Sequence, residues 1–149
     1  MSAMSEMDRE LSLKLFIVLA RASRSVTDEI KTDIQSYGLN PTEFAVLELL
    51  YHKGSQPLQQ IGEKILLASG SITYVVDKLE GKGYLTRNPC PNDRRITHAV
   101  ITDVGKSLMD RIFPDHEKQV QSIFAGLDVS EKETAIDLLK KLGHYAEKL

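Results

Sequence analysis

At 149 residues, 42% hydrophobic and 27% charged, the chain has the make-up of a soluble globular protein, one domain or two small lobes sharing a core, which excludes a disordered or fibrous chain. Its net charge of −2 excludes a general polycation but not a local basic patch, and Lys78, Lys82, Arg87, Arg94 and Arg95 against Glu80 and Asp93 form one. A single cysteine, Cys90, excludes an internal disulfide and fits a reducing cytoplasm; the first apolar run, Leu11 to Ala20, is broken by Lys14 and is too short and charged for a signal peptide or a membrane span.

From Asp8 to Tyr37 the spacing predicts one long helix. Leu11, Leu15, Val18, Ala22, Val26, Ile30 and Ile34 recur every three or four residues, and Leu13, Phe16, Ile17 and Leu19 widen the stripe at its N-terminal end. A helix of that length runs about 40 Å, more than a small core covers, so this segment reads as a dimer helix rather than one wrapped by its own chain. Gly38 suits a left-handed C-cap, and Asn40 or Thr42 caps a second helix, Glu43 to Tyr51, around Pro41. Gly54-Ser55-Gln56-Pro57 ends it, and a short third helix from Leu58 to about Ile65 turns Leu58, Ile61 and Ile65 inward.

A tight turn at Leu67-Ala68-Ser69-Gly70 leads into a fourth helix, Ser71 to about Lys82. Ile72, Val75, Val76 and Leu79 assign its buried face, so Ser71, Thr73, Tyr74, Asp77 and Lys78 stand on the opposite one. Two short helices so joined form a helix–turn–helix, whose second member enters a major groove by its N-terminus. Two β-compatible runs, Tyr84 to Arg87 and Thr97 to Thr102, flank the turn-rich Asn88-Pro89-Cys90-Pro91-Asn92-Asp93 and predict a hairpin, the wing of a winged helix. Thr102-Asp103 caps a fifth helix starting near Val104, in which Pro114 is expected to make a kink or a new start. Ser130-Glu131-Lys132-Glu133 reads as the capping box of a last helix with Ile136, Leu138, Leu139, Leu142 and Tyr145 on one face. The fold class is mainly α with a small β-hairpin.

Arg94 and Arg95 at the hairpin tip suit a grip on duplex DNA, because a planar guanidinium matches phosphate oxygens and fits a narrow, electronegative minor groove. Ser69, Ser71, Thr73 and Tyr74 are candidates for base edges or phosphates, Lys78 for the backbone, and Lys82 and Arg87 for secondary phosphate contacts. For the arginines alone, solvated loop charge is the plainer alternative; the preceding helix–turn–helix decides against it.

The ordered series Gly38-Leu39-Asn40-Pro41, the helix–turn–helix, Leu79-Glu80-Gly81-Lys82-Gly83-Tyr84-Leu85, Asp93-Arg94-Arg95 and Ile101-Thr102-Asp103-Val104-Gly105 resembles the MarR family of bacterial winged-helix transcriptional regulators. The resemblance spans nearly the whole chain. It implies an obligate homodimer built from the first, fifth and sixth helices, with residues 1–37 and 104–149 as dimerisation segments and 38–103 as the DNA-binding lobe. It further implies repression of nearby genes, relieved by a small phenolic or other aromatic ligand or by thiol oxidation. From the family pattern, Asp93 is expected to orient an arginine, Arg95 or Arg87, rather than to touch DNA.

Cys90, set among cations, is a candidate redox sensor, though peroxide- and quinone-sensing relatives carry their cysteine near the N-terminus, where this chain has none. Phe16, Met109 and Phe113 read first as core, and otherwise as walls of a ligand pocket. His52, His98, His116 and His144 are scattered, and His116-Glu117 points two ways from one helix, so neither metal nor other cofactor is expected. No nucleophile–base pair or phosphate-cradling glycine loop assigns catalysis, so the chain does not read as an enzyme. A winged-helix protein-interaction module without DNA binding is the alternative, and the exposed cations argue against it.

Overall fold

The computed structural model describes residues 2–65 and 71–149, with the side chain of Ser71 also outside the description. The chain order is α1 (Ala3–Gln35), α2 (Pro41–Lys53), β1 (Gln56–Pro57), α3 (Leu58–Lys64), α4 (Ser71–Gly81), β2 (Leu85–Pro89), β3 (Thr97–Ile101), α5 (Asp103–Ile123) and α6 (Val129–Glu147). This is a winged-helix lobe: α2, α3 and α4 pack with an antiparallel sheet of order β1-β3-β2.

Local chemistry sets most of the boundaries. Gly38 ends α1 at φ 80°, a conformation that side chains rarely adopt. The Asn40 side chain then accepts from the Glu43 N–H at 2.8 Å while Glu43 accepts from the Asn40 N–H at 3.0 Å, a reciprocal capping box with Pro41 at the first helical position. Of the two candidate caps, Asn40 is therefore the one used. Thr102 caps α5 by accepting from Gly105 N–H at 3.0 Å, and its hydroxyl donates to the Gly83 carbonyl at 2.6 Å. The turn that leads into β2, the wing's first strand, is thereby fastened to the start of α5.

The core gathers Phe44, Val46, Leu47 and Leu50 of α2, Ile61 of α3, Val75, Val76 and Leu79 of α4, Leu85, Ala99 and Ile101 of the wing, and Leu108, Met109 and Ile112 of α5. Ile34 and Leu39 close it from the end of α1, so the core crosses both expected segment boundaries near residues 37 and 103. Burying such side chains is the main favourable term for the lobe, at about 1.5–3 kcal/mol each.

Three details depart from expectation. Gln56 and Pro57, read as a helix breaker, also make an edge strand that pairs with Ala99 and His98. Proline is tolerated there because an edge position needs no inward N–H. Pro114 starts no new helix, since α5 runs through it from Asp103 to Ile123. The last helix is capped by Asp128, which exchanges hydrogen bonds of 2.8 and 3.0 Å with Glu131, so the capping box begins two residues before Ser130.

The N-terminal part of α1 and nearly all of α6 stand exposed. Every residue from 2 to 25 is exposed, and α6 has no buried residue. Leu11, Leu15, Val18 and Phe16 on α1 keep 52–71% of their surface in water, as do Leu138 and Tyr145 of α6. The C-terminal end of α1 is held by the lobe. There Asp33 accepts from Tyr37 Oη at 2.7 Å and lies 2.7 Å from Nδ1 of the buried His116 on α5. Burial first, and then the Asp33 carboxylate, push the Tyr37 hydroxyl well above the usual phenol range.

Candidate nucleic-acid interface

The interface is built from α4 and the wing. Ile72, Val75, Val76 and Leu79 fasten one face of α4 to the core, which leaves Thr73, Tyr74, Asp77 and Lys78 exposed on the other. Tyr74 is 64% exposed. The Lys78 ammonium stands 5.7 Å from its ring centroid one turn later, within cation–π range. Ser71 opens the helix, with its side chain outside the described residues, and Ser69 lies outside them altogether.

The hairpin runs in a continuous register from Leu85 opposite Ile101 to Pro89 opposite Thr97. Its tip closes through the Cys90 N–H donating to the Ile96 carbonyl at 2.8 Å and the Ile96 N–H donating to the Asp93 carbonyl at 3.0 Å. Asp93 then organises the arginine beside it. Its carboxylate accepts from the Arg95 backbone N–H at 3.0 Å and from Nε and Nη2 at 3.1 Å each. This side-chain fork, helped by the backbone N–H, holds the Asp93 carboxyl below its ordinary range. The Arg95 side chain nevertheless remains 90% exposed, so it is aimed rather than enclosed. Arg94 is exposed as well. Of the two arginines considered for Asp93, its partner is Arg95.

Arg87 and Lys82 have other partners. Arg87 sits on β2 and forks onto α4: Nη1 reaches Glu80 at 2.7 Å, Nη2 bonds Asp77, and its backbone N–H donates to Glu80 at 3.1 Å. Lys82, just past α4, lies 2.8 Å from Glu43, whose side chain is only 3% exposed. Burial alone would raise the Glu43 carboxyl, but the bonds from Lys82 and from the Asn40 backbone outweigh it and hold the group below its usual range. Both cations, expected as secondary phosphate contacts, are thus engaged by carboxylates of their own lobe. Composition gave only a count of charges; the pairing signal was the i, i+3 spacing of Asp77 and Glu80 on the helix flank facing β2.

Of the residues considered for a ligand pocket, Met109 and Phe113 lie one turn apart on α5 and Phe16 stands on α1. Met109 is fully buried in the core and Phe16 is 71% exposed on α1. Phe113 lies edge-on to His52 at 4.7 Å and near His116 at 5.8 Å. Two hollows among the described residues, about 170 Å³ beside Pro57, Arg95 and Ile96 and about 280 Å³ beside Ala45, His52 and Ile65, are lined by none of the three. Cys90 is free and half-buried. The guanidiniums of Arg87 and Arg95, which were expected to surround it, are both held by carboxylates. Among the described residues, no three His, Cys, Asp or Glu side chains are grouped to hold a metal ion, and no helix is long and apolar enough to cross a membrane.

This arrangement matches known proteins. The MarR family model matches residues 39–97. The HTH-type transcriptional regulator MhqR of Bacillus subtilis is 59% identical over 138 residues, covering 93% of this chain and 95% of that protein. In structure, the chain is similar to Bordetella bronchiseptica BpsR, solved in a study of how 6-hydroxynicotinic acid regulates its DNA binding, with a TM-score of 0.76, 25% identity, and coverage of 85% of this chain and 90% of that one. It also shares its fold with the MarR family regulator Sco3205 of Streptomyces coelicolor in complex with DNA, with a TM-score of 0.78, 18% identity, and coverage of 92% and 86%. Such relatives are transcriptional regulators and not enzymes. A winged-helix lobe joined to helices with bare apolar faces, together with this degree of identity to MhqR, places the chain in the MarR family of DNA-binding transcriptional regulators.

Proposed function

We propose that the protein is a homodimeric repressor that binds a pseudo-palindromic operator and is released by a small aromatic ligand. Residues 1–37 and 104–149 supply the dimer contact, and 38–103 form the lobe that reaches DNA. The observation that carries the dimer is the exposure of every residue from 2 to 25, among them Leu11, Leu13, Leu15, Phe16, Ile17 and Leu19. A monomer rarely leaves an apolar stripe of that extent in water.

On each lobe α4 enters the major groove, with Ser69, Ser71, Thr73 and Tyr74 toward base edges or phosphates and Lys78 toward the backbone. Arg94 and Arg95 enter the flanking minor groove, where narrow A·T segments attract guanidinium groups. Asp93 contributes by aiming Arg95. Twofold symmetry then sets the two α4 helices about 34–36 Å apart on successive major grooves. The protein works in the cytoplasm, with the DNA. The regulation of BpsR by an aromatic acid supports an aromatic effector. Release by oxidation rests on Cys90 alone, and substitution of that residue separates the two routes. Footprinting of the duplex upstream of its own coding sequence, with and without phenolic acids and quinones, tests the reading. Protection that is lost on adding a phenolic acid to the Cys90→Ser variant supports it, and protection indifferent to every such compound refutes the ligand-release part.

A further inference from the structure

We propose that Arg87 is a positioning residue: it clamps the wing to the recognition helix and masks two carboxylates there, instead of gripping a phosphate. The proposal rests on the reading above that α4 and the wing contact DNA together. Three bonds converge on the junction. The Arg87 guanidinium reaches Glu80 at 2.7 Å and bonds Asp77, while its backbone N–H adds a 3.1 Å bond to the second Glu80 oxygen. Glu80 therefore holds both the main chain and the side chain of one strand residue. The strand cannot slide along α4 without breaking all three.

Placement explains why the clamp matters. Asp77 lies one turn beyond Thr73 and Tyr74, on the face that α4 offers to DNA, and is 60% exposed. An unmasked carboxylate there would repel phosphates. Arg87, by contrast, is only 25% exposed, backed by the hairpin at its register position opposite the buried Ala99. A planar fork satisfies two carboxylates at once, which a lysine ammonium on a flexible stem does less well. The wing tip beyond it bears Arg94 and Arg95, so the angle fixed at Arg87 sets where those side chains arrive.

The test has a DNA-free arm and a DNA arm, using wild type, Arg87→Met, Arg87→Lys, and Asp77→Ala with Glu80→Ala, alone and combined with Arg87→Met. In the free protein, amide hydrogen exchange in residues 86–88 should quicken about fivefold in Arg87→Met and at least as much in the carboxylate double variant, which also removes the acceptor of the residue 87 backbone N–H, as expected for loss of a partly exposed ion-pair network. On the duplex upstream of its own coding sequence, Arg87→Met should lose about fivefold in affinity, the carboxylate variant should lose less because no carboxylate is left to repel phosphates, and the combined variant should match the carboxylate variant, because Arg87 then has no partner to lose. Arg87→Lys should recover less than half of the loss, and the slope of log affinity against log salt should match wild type.

A phosphate contact gives the opposite pattern. The slope would flatten by about 0.9 per contact in Arg87→Met, Arg87→Lys would restore it, and the carboxylate variant would bind as well or more tightly. Any one of those results overturns the clamp. Should Arg87→Met fail to fold, as read by circular dichroism, the carboxylate and Lys variants carry the same comparison. Wild-type protein with no preference for the duplex would instead count against the DNA reading, while the exchange arm would still decide whether Arg87 ties strand to helix.

Discussion

Glu43 joins two structural jobs, and substituting it in two ways separates them. One carboxylate oxygen accepts the Asn40 N–H and completes the capping box of α2; the other accepts from Lys82, just past the end of α4, at 2.8 Å. Glu43→Gln keeps an oxygen for Asn40 and loses the charged bond, which should cost about 1–2 kcal/mol. Glu43→Ala loses the capping interaction as well, adding about 1 kcal/mol. Lys82 is 37% exposed and can turn its ammonium to water, so the larger penalty of an orphaned buried cation does not apply. The pH dependence has a definite sign. Glu43 titrates lower in the folded chain than in the unfolded one, so its contribution is complete above the unfolded value of about 4.3 and disappears as pH falls through the folded value. Urea unfolding followed by circular dichroism at fixed protein concentration measures both effects. Wild type should exceed Glu43→Gln at pH 7, and the gap should close as pH falls below the usual glutamate range. Equal stability at pH 7, or a difference that persists in acid, would refute the reasoning.

Replacing Arg94 and Arg95 with alanine should weaken operator binding and, with four guanidiniums removed per dimer, flatten the salt slope by up to about 3.6, measured by fluorescence anisotropy from low to moderate salt. An unchanged slope removes the wing tip from the interface. Gly105→Ala would place a Cβ 2.2 Å from the Tyr84 carbonyl oxygen and 2.8 Å from Ile101 Cγ1, so backbone must move and thermal unfolding should show a loss of about 1–3 kcal/mol or more. A variant as stable as wild type would contradict the tight junction between wing and α5. Leu15→Glu on the bare face of α1 should leave the lobe folded but shift sedimentation toward monomer, and a dimer undisturbed by the charge would move the contact elsewhere.

The lobe was legible because its elements are short, strongly patterned and punctuated by residues with one structural use. Ile72, Val75, Val76 and Leu79 could face only one way, and Asn40-Pro41 and Thr102-Asp103 carry cap chemistry in themselves. The strand at Gln56-Pro57 was not legible, since two residues show no alternation and its partner, β3, lies some forty residues on. Nor were the pairings of Arg87 and Lys82. Sequence shows that cations cluster near the wing, but which of them face carboxylates depends on how β2 crosses α4 and on Glu43 meeting Lys82 across the lobe. The exposed stripe of α1 was visible as an excess of apolar positions, and only the fold shows that those positions stay exposed. Asp93 with Arg95 sits between these cases: a two-residue spacing in a turn suggests a contact, while the choice over Arg87 needed the geometry.

The most direct test is the stoichiometry of the protein on its footprinted operator, by sedimentation velocity with a labelled duplex. Two chains on each protected site, with protection centred on two major grooves one helical turn apart, is the predicted result. One chain per site, or equal binding to any random duplex of the same length, would contradict it.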